Sequence, residues 1–68
     1  MNHIPYEEYV VLDIFDFLGK KVSTVAQGNF VAGEHRIIWD ASNCSNGVYY
    51  YRLTAGYKTI EKKLILLH

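Results

Sequence analysis

Tyr9-Val10-Val11-Leu12-Asp13-Ile14-Phe15-Asp16 decides the fold class. Its apolar side chains repeat at period two. Val10, Leu12 and Ile14 fall on one face, and Tyr9, Val11, Asp13 and Phe15 on the other. Successive side chains of a strand point to opposite faces of its sheet. Most of these residues are β-branched or aromatic, types that suit a pleated, half-buried surface. The stretch reads as a β-strand with one strongly apolar face.

The same period continues along the chain. Phe17-Leu18-Gly19-Lys20 reads as a hairpin turn with a bulge, because Gly19 can take a positive φ where the chain reverses. Residues 21–27 form a second, weaker strand. Val22 and Val25 are three positions apart, so they cannot share a face without a bulge. This strand is expected at a sheet edge. Residues 28–33 read as a loop closed by Gly28 and Gly33. A third strand over residues 34–40 sets His35, Ile37 and Trp39 against Arg36, Ile38 and Asp40. Residues 41–46 are polar and end in the turn dipeptide Asn46-Gly47. A fourth strand over residues 48–55 sets Tyr49, Tyr51 and Leu53 against Val48, Tyr50 and Arg52. Gly56-Tyr57 offers a tight turn. The last strand, residues 58–67, sets Lys58, Ile60, Lys62, Leu64 and Leu66 against Thr59, Glu61, Lys63, Ile65 and Leu67. No window has helical periodicity. About five strands with frequent turn signals indicate an all-β sandwich or barrel of antiparallel strands. Trp39, Tyr49 and Tyr51 are expected in its core, with Tyr50 on the outer face.

Composition excludes several function classes. The chain has 68 residues, 7 basic and 7 acidic side chains, and one Cys. It is one small domain at most, 1–68, and a small domain has only marginal stability. Zero net charge without a basic run argues against nucleic-acid binding. One Cys cannot form an internal disulfide, and one Cys with three scattered His is a poor metal site. No stretch reaches the roughly 18 apolar residues of a membrane helix. The first residues carry neither a basic region nor an apolar run, so they hold no signal peptide. Export would then be directed by another part of a larger precursor, of which this chain reads as a fragment.

Catalytic constellations are equally thin. Asp13 and Asp16 are three apart on one strand and point to opposite faces, so they read as a solvated charge and a turn-leading aspartate. His35 and Asp40 also fall on opposite faces, no G-x-S-x-G elbow accompanies them, and His35 reads as a core-edge histidine bonded to backbone or water. Cys44 has no basic neighbour within five residues to stabilise a thiolate. Asn43-Cys44-Ser45 matches the N-glycosylation sequon, a weak three-residue signal. Gly28 and Gly33 bracket a β–β connection rather than a phosphate loop. No cofactor, metal or small-molecule substrate is expected, and the chain is not read as an enzyme.

Five blocks in order carry a family resemblance. Val10, Leu12, Ile14, Phe15 and Asp16 make the first; Gly19, Lys20 and Val22 the second; Ala32, Gly33, His35, Ile37, Trp39 and Asp40 the third. Gly47, Val48, Tyr49, Tyr51, Arg52 and Leu53 make the fourth, and Lys62, Lys63, Leu64, Ile65, Leu66 and Leu67 the last. The chain resembles the C-terminal sorting domain (type A) of proteins exported by the bacterial type IX secretion system. The resemblance implies an immunoglobulin-like β-sandwich, similar to the immunoglobulin-like module of the flagellar hook-capping protein. It implies a targeting module that leads a secreted protein through the periplasm to the cell surface. Its partners would be the outer-membrane secretion machinery and a sortase. An uncleaved, hook-cap-like assembly or adhesion module is the alternative. Gly19, Gly33, Trp39, Asp40, Gly47 and Tyr49 are then structural motif residues, and residues 62–67 the segment the translocon reads. The family usually opens with a first strand that this chain lacks apart from an Ile4-Pro5 end. An unpaired edge invites another chain, so the isolated chain is expected to form a homo-oligomer.

Overall fold

The computed structural model describes residues 3–68. It contains β1 (His3–Ile4), β2 (Glu8–Asp16), β3 (Lys21–Phe30), β4 (Gly33–Glu34), β5 (Gly47–Ala55) and β6 (Lys58–Leu66). The long strands form one antiparallel sheet in the order β3-β2-β5-β6, and β1 and β4 form a second, two-stranded sheet. The fold is all-β, with two antiparallel sheets in a sandwich-like arrangement.

The apolar face read from residues 9–16 is the inner face of the large sheet. Val10, Leu12 and Ile14 lie opposite Ala55, Leu53 and Tyr51 of β5. Directly opposite residues of an antiparallel pair share a face. Leu53 and Tyr49 in turn lie opposite Ile60 and Leu64 of β6. Ile4 of β1 closes over this face, so Ile4, Val10 and Leu53 form a buried cluster with Leu12, Phe30 and Ala55 packed around it. Val10, only 1% exposed, is its most enclosed member.

Local turn chemistry follows the sequence closely. At the β2–β3 turn, the Asp16 carboxylate accepts from the Leu18 and Lys20 backbone N–H groups at 3.0 and 2.9 Å. Gly19 adopts φ 85° there. In the β5–β6 turn, Gly56 has φ 62° while Tyr57 does not have a positive φ. A positive φ at only the first of two central residues is the type II′ pattern, whose twist matches the flanking strands. The bulge expected in β3 occurs twice: Leu12 and Asp13 face Ala26 and Thr24, and Ile14 and Phe15 face Ser23 and Lys21. Val25 and Val22 are the extra residues, and β3 lies at the sheet edge as expected.

Three expectations need correction. The loop assigned to residues 28–33 is mostly strand, since β3 continues to Phe30 with Glu8–Val10 as its partners. β6 ends at Leu66, not Leu67. The third strand of residues 34–40 shrinks to Gly33–Glu34, and these two residues pair with His3–Ile4, where the sequence reading had only the end of a strand. The face assignment for residues 35–40 still holds: His35, Ile37 and Trp39 are half-buried, while Arg36, Ile38 and Asp40 are exposed. Alternation records which side of the segment faces the core, but a strand also needs a partner backbone.

Candidate functional site

The terminal strand β6 is an edge of the large sheet, and the sequence reading put the recognition segment on it. Its pairing register divides that segment in two. Lys62 lies opposite Tyr51, Leu64 opposite Tyr49 and Leu66 opposite Gly47, on the inner face. Lys63 and Ile65 lie opposite Tyr50 and Val48, on the outer face. Leu67 lies just past the end of β6. Leu64 and Leu66 are half-buried, whereas Ile65 and Leu67 are 64% and 78% exposed and Lys63 is exposed. Lys62 is also exposed despite facing inward. Residues 62–67 therefore do not form one patch.

The inner half of β6 helps line an apolar recess of about 190 Å³. Its walls include Leu12, Ile14, Val25, Ile37, Trp39 and Leu64. Trp39 meets Tyr49 edge-to-face, with ring centroids 5.6 Å apart. Edge-to-face contact aligns the positive rim of one ring with the negative face of the other. Tyr49 is buried as expected, but Trp39 and Tyr51 are only half-buried. Trp39 lies in the 35–40 segment, outside both sheets, and Tyr51 on β5 lines the same open recess with it.

Most of the motif residues gather at one end of the molecule. The Tyr49 hydroxyl donates to the Ser45 carbonyl at 2.8 Å, pinning the 41–46 loop to β5. Gly47 begins β5 opposite Leu66, and the β2–β3 turn carrying Gly19 lies beside this end, since Asp16 faces Tyr49. Asp40 accepts from the Ser42 backbone N–H at 3.1 Å. Gly33 lies apart from these, beside β1. The sequence reading missed His68. Its backbone N–H donates to the Asn46 side chain at 2.9 Å, and its ring nitrogen lies 2.6 Å from the Cys44 carbonyl. These contacts fasten the end of β6 to the loop. No sequence signal connects them, because the partners are more than twenty residues apart.

Polar contacts elsewhere tie strands and turns together. Asp13 accepts from the Thr24 hydroxyl at 2.6 Å, and Asp16 serves its turn. His35 lies 2.7 Å from the Val31 carbonyl and meets Phe30 edge-to-face, as a core-edge histidine would. The Ser42 backbone N–H, and then its hydroxyl, hold the Asp40 carboxyl below its ordinary 3.8. A carboxyl held low stays ionised and is mismatched to proton transfer near neutral pH. On the outer face Arg52 pairs with Glu61 at 2.6 Å and stacks 4.6 Å over Phe15. An exposed ion pair of this kind contributes little, about 0–1 kcal/mol. Among the described residues, no group of three or more His, Cys, Asp or Glu could hold a metal ion.

A family model described as the secretion system C-terminal sorting domain matches residues 1–67. The chain belongs to that family. It is a C-terminal sorting domain for type IX secretion, with a targeting role. No curated protein and no solved structure matches the chain. Sorting domains of this family are non-catalytic in general. They imply a secreted or cell-surface protein and contact with the secretion machinery.

Proposed function

We propose that this sorting domain acts as a passive address at the C-terminal end of an exported protein, read through the outer side of β6. It catalyses nothing itself. Its cargo crosses the periplasm, and a sortase then removes the domain or exchanges it for a surface anchor. The immunoglobulin-like character that links it to hook-capping modules belongs to this proposal.

The observation that carries the reading is the division of β6. Leu64 and Leu66 are committed to the domain's own packing, while Ile65 and Leu67 are large apolar side chains left in solvent beside Lys63. Singly exposed apolar residues are ordinary, but here Ile65 lies on a strand that has no outer neighbour among the described residues, with Leu67 just past its end. A receptor strand added to that edge would gain both backbone hydrogen bonds and these side chains. Gly19, Gly33, Trp39, Asp40, Gly47 and Tyr49 then serve the frame that presents β6.

The test is a fusion of the domain to a periplasmic reporter in a host that runs this secretion system. Surface display of the reporter is expected. Retention in the periplasm with the domain folded would overturn the proposal. The same free edge gives the isolated chain a route to a homo-oligomer. Light scattering at high protein concentration is expected to give a mass above that of the monomer, and a monomeric mass would refute self-pairing.

A further inference from the structure

The two edges of the large sheet differ. The β3 edge carries two register shifts, and such bulges bend a strand and disrupt its row of backbone groups. β6 pairs with β5 without a shift from Lys58 to Leu66, and it has no outer neighbour among the described residues. It is therefore the regular edge, the kind to which another strand adds. Its charges are unevenly satisfied. Glu61 pairs with Arg52, whereas Lys62 and Lys63 lie opposite Tyr51 and Tyr50, without an ion pair among the described residues. On the inner face Ile60 is 41% exposed and Leu64 half-buried.

We propose that a second copy of this chain takes this edge, β6 running antiparallel to the partner's β6 about a two-fold axis beside Lys62. The pairing rests on β6 being a free edge, not on export. The strand has nine residues, so centring on Lys62 pairs it over its full length. The two-fold keeps both inner faces on one side of the joined sheet, so inner residues must oppose inner ones. Among the registers that satisfy this, centring on Lys62 is the one that sets Glu61 opposite a lysine, the partner's Lys63. Symmetry makes the contact twice, and each extends the Arg52–Glu61 pair into a row of alternating charge across three strands. Ile60 comes to lie opposite the partner's Leu64, and Thr59 opposite the partner's Ile65. Opposite charges and packed side chains directly across an antiparallel pair are stabilising. One contact works against assembly: Lys62 meets the partner's Lys62 at the axis. Like charges directly opposite are destabilising, and lysine on an edge strand limits such pairing. Lys62 thus sets the strength of self-association.

The test uses the purified chain, with melting curves to confirm that each variant is folded. Light scattering over a concentration series is expected to show a monomer–dimer equilibrium. Lys62→Thr is expected to tighten it about threefold or more. Lys63→Glu, which sets like charges opposite each other twice, is expected to weaken it about tenfold or more. In a Cys44→Ser background, Lys62→Cys places two thiols directly across the axis, within disulfide reach. Thr59→Cys faces the partner's Ile65 instead. Mild oxidation is expected to cross-link the first variant and not the second. A dimer indifferent to either charge substitution would overturn the proposal. So would cross-linking of Thr59→Cys as fast as of Lys62→Cys, which would assign the contact to another register or face. A monomeric mass at every concentration would also overturn it, and would leave export, which the reporter fusion tests, untouched.

Discussion

Replacing Leu53 with alanine is expected to bring the domain close to its unfolding threshold. Leu53 is 3% exposed and faces Leu12 on β2 and Ile60 on β6. It also belongs to the cluster with Ile4 and Val10, so it joins the large sheet to the β1–β4 layer. Removing a buried leucine side chain costs about 2–5 kcal/mol, through lost transfer energy and the cavity left behind. At roughly 0.05–0.15 kcal/mol per residue, a domain of this length has only about 3–10 kcal/mol in total. The melting temperature is expected to fall by roughly 8–40 °C, as read by circular dichroism. Ile65→Ala, on the exposed side of β6, is expected to stay within about 0.5 kcal/mol of the parent. Equal effects from the two substitutions would show that Leu53 does not anchor the core.

The second large effect concerns export. In the reporter fusion, Ile65→Lys combined with Leu67→Lys is expected to abolish surface display while leaving the melting temperature nearly unchanged. Both side chains are in solvent, so the folded domain loses little. A receptor that buried them would lose about 1.5–3 kcal/mol for each. Together that weakens recognition at least about a hundredfold. Leu64→Ala provides the contrast. Leu64 faces Tyr49 and lines the recess with Trp39, so its loss acts on stability first. Normal display of the double lysine variant would remove the outer face of β6 from the recognition surface. Reduced display in step with reduced stability would do the same.

This division of β6 shows where sequence reading works in this chain and where it stops. Alternation separates Lys62, Leu64 and Leu66 from Lys63, Ile65 and Leu67 without a structure, because side-chain direction is a property of each strand. The turn roles of Asp16, Gly19 and Gly56 were legible for a related reason: they depend on residues within a few positions of one another. The bulge between Val22 and Val25 was signalled by their spacing, although the ladder needed two.

What the sequence alone determined was therefore the class of the fold, the faces of its strands, its hairpins and the order of the family blocks. All of these follow from local periodicity and turn chemistry. Tertiary structure decided which strands find partners. Residues 34–40 alternate as a strand does, yet only Gly33–Glu34 is paired, because the ladder requires a second backbone at the right distance. It also decided that Trp39 and Tyr51 remain half-buried, since both line a recess that the packing of the sheet against residues 35–40 leaves open. The tether of His68 to the 41–46 loop belongs here too, because contacts between distant residues exist only once the sheet has brought its ends together.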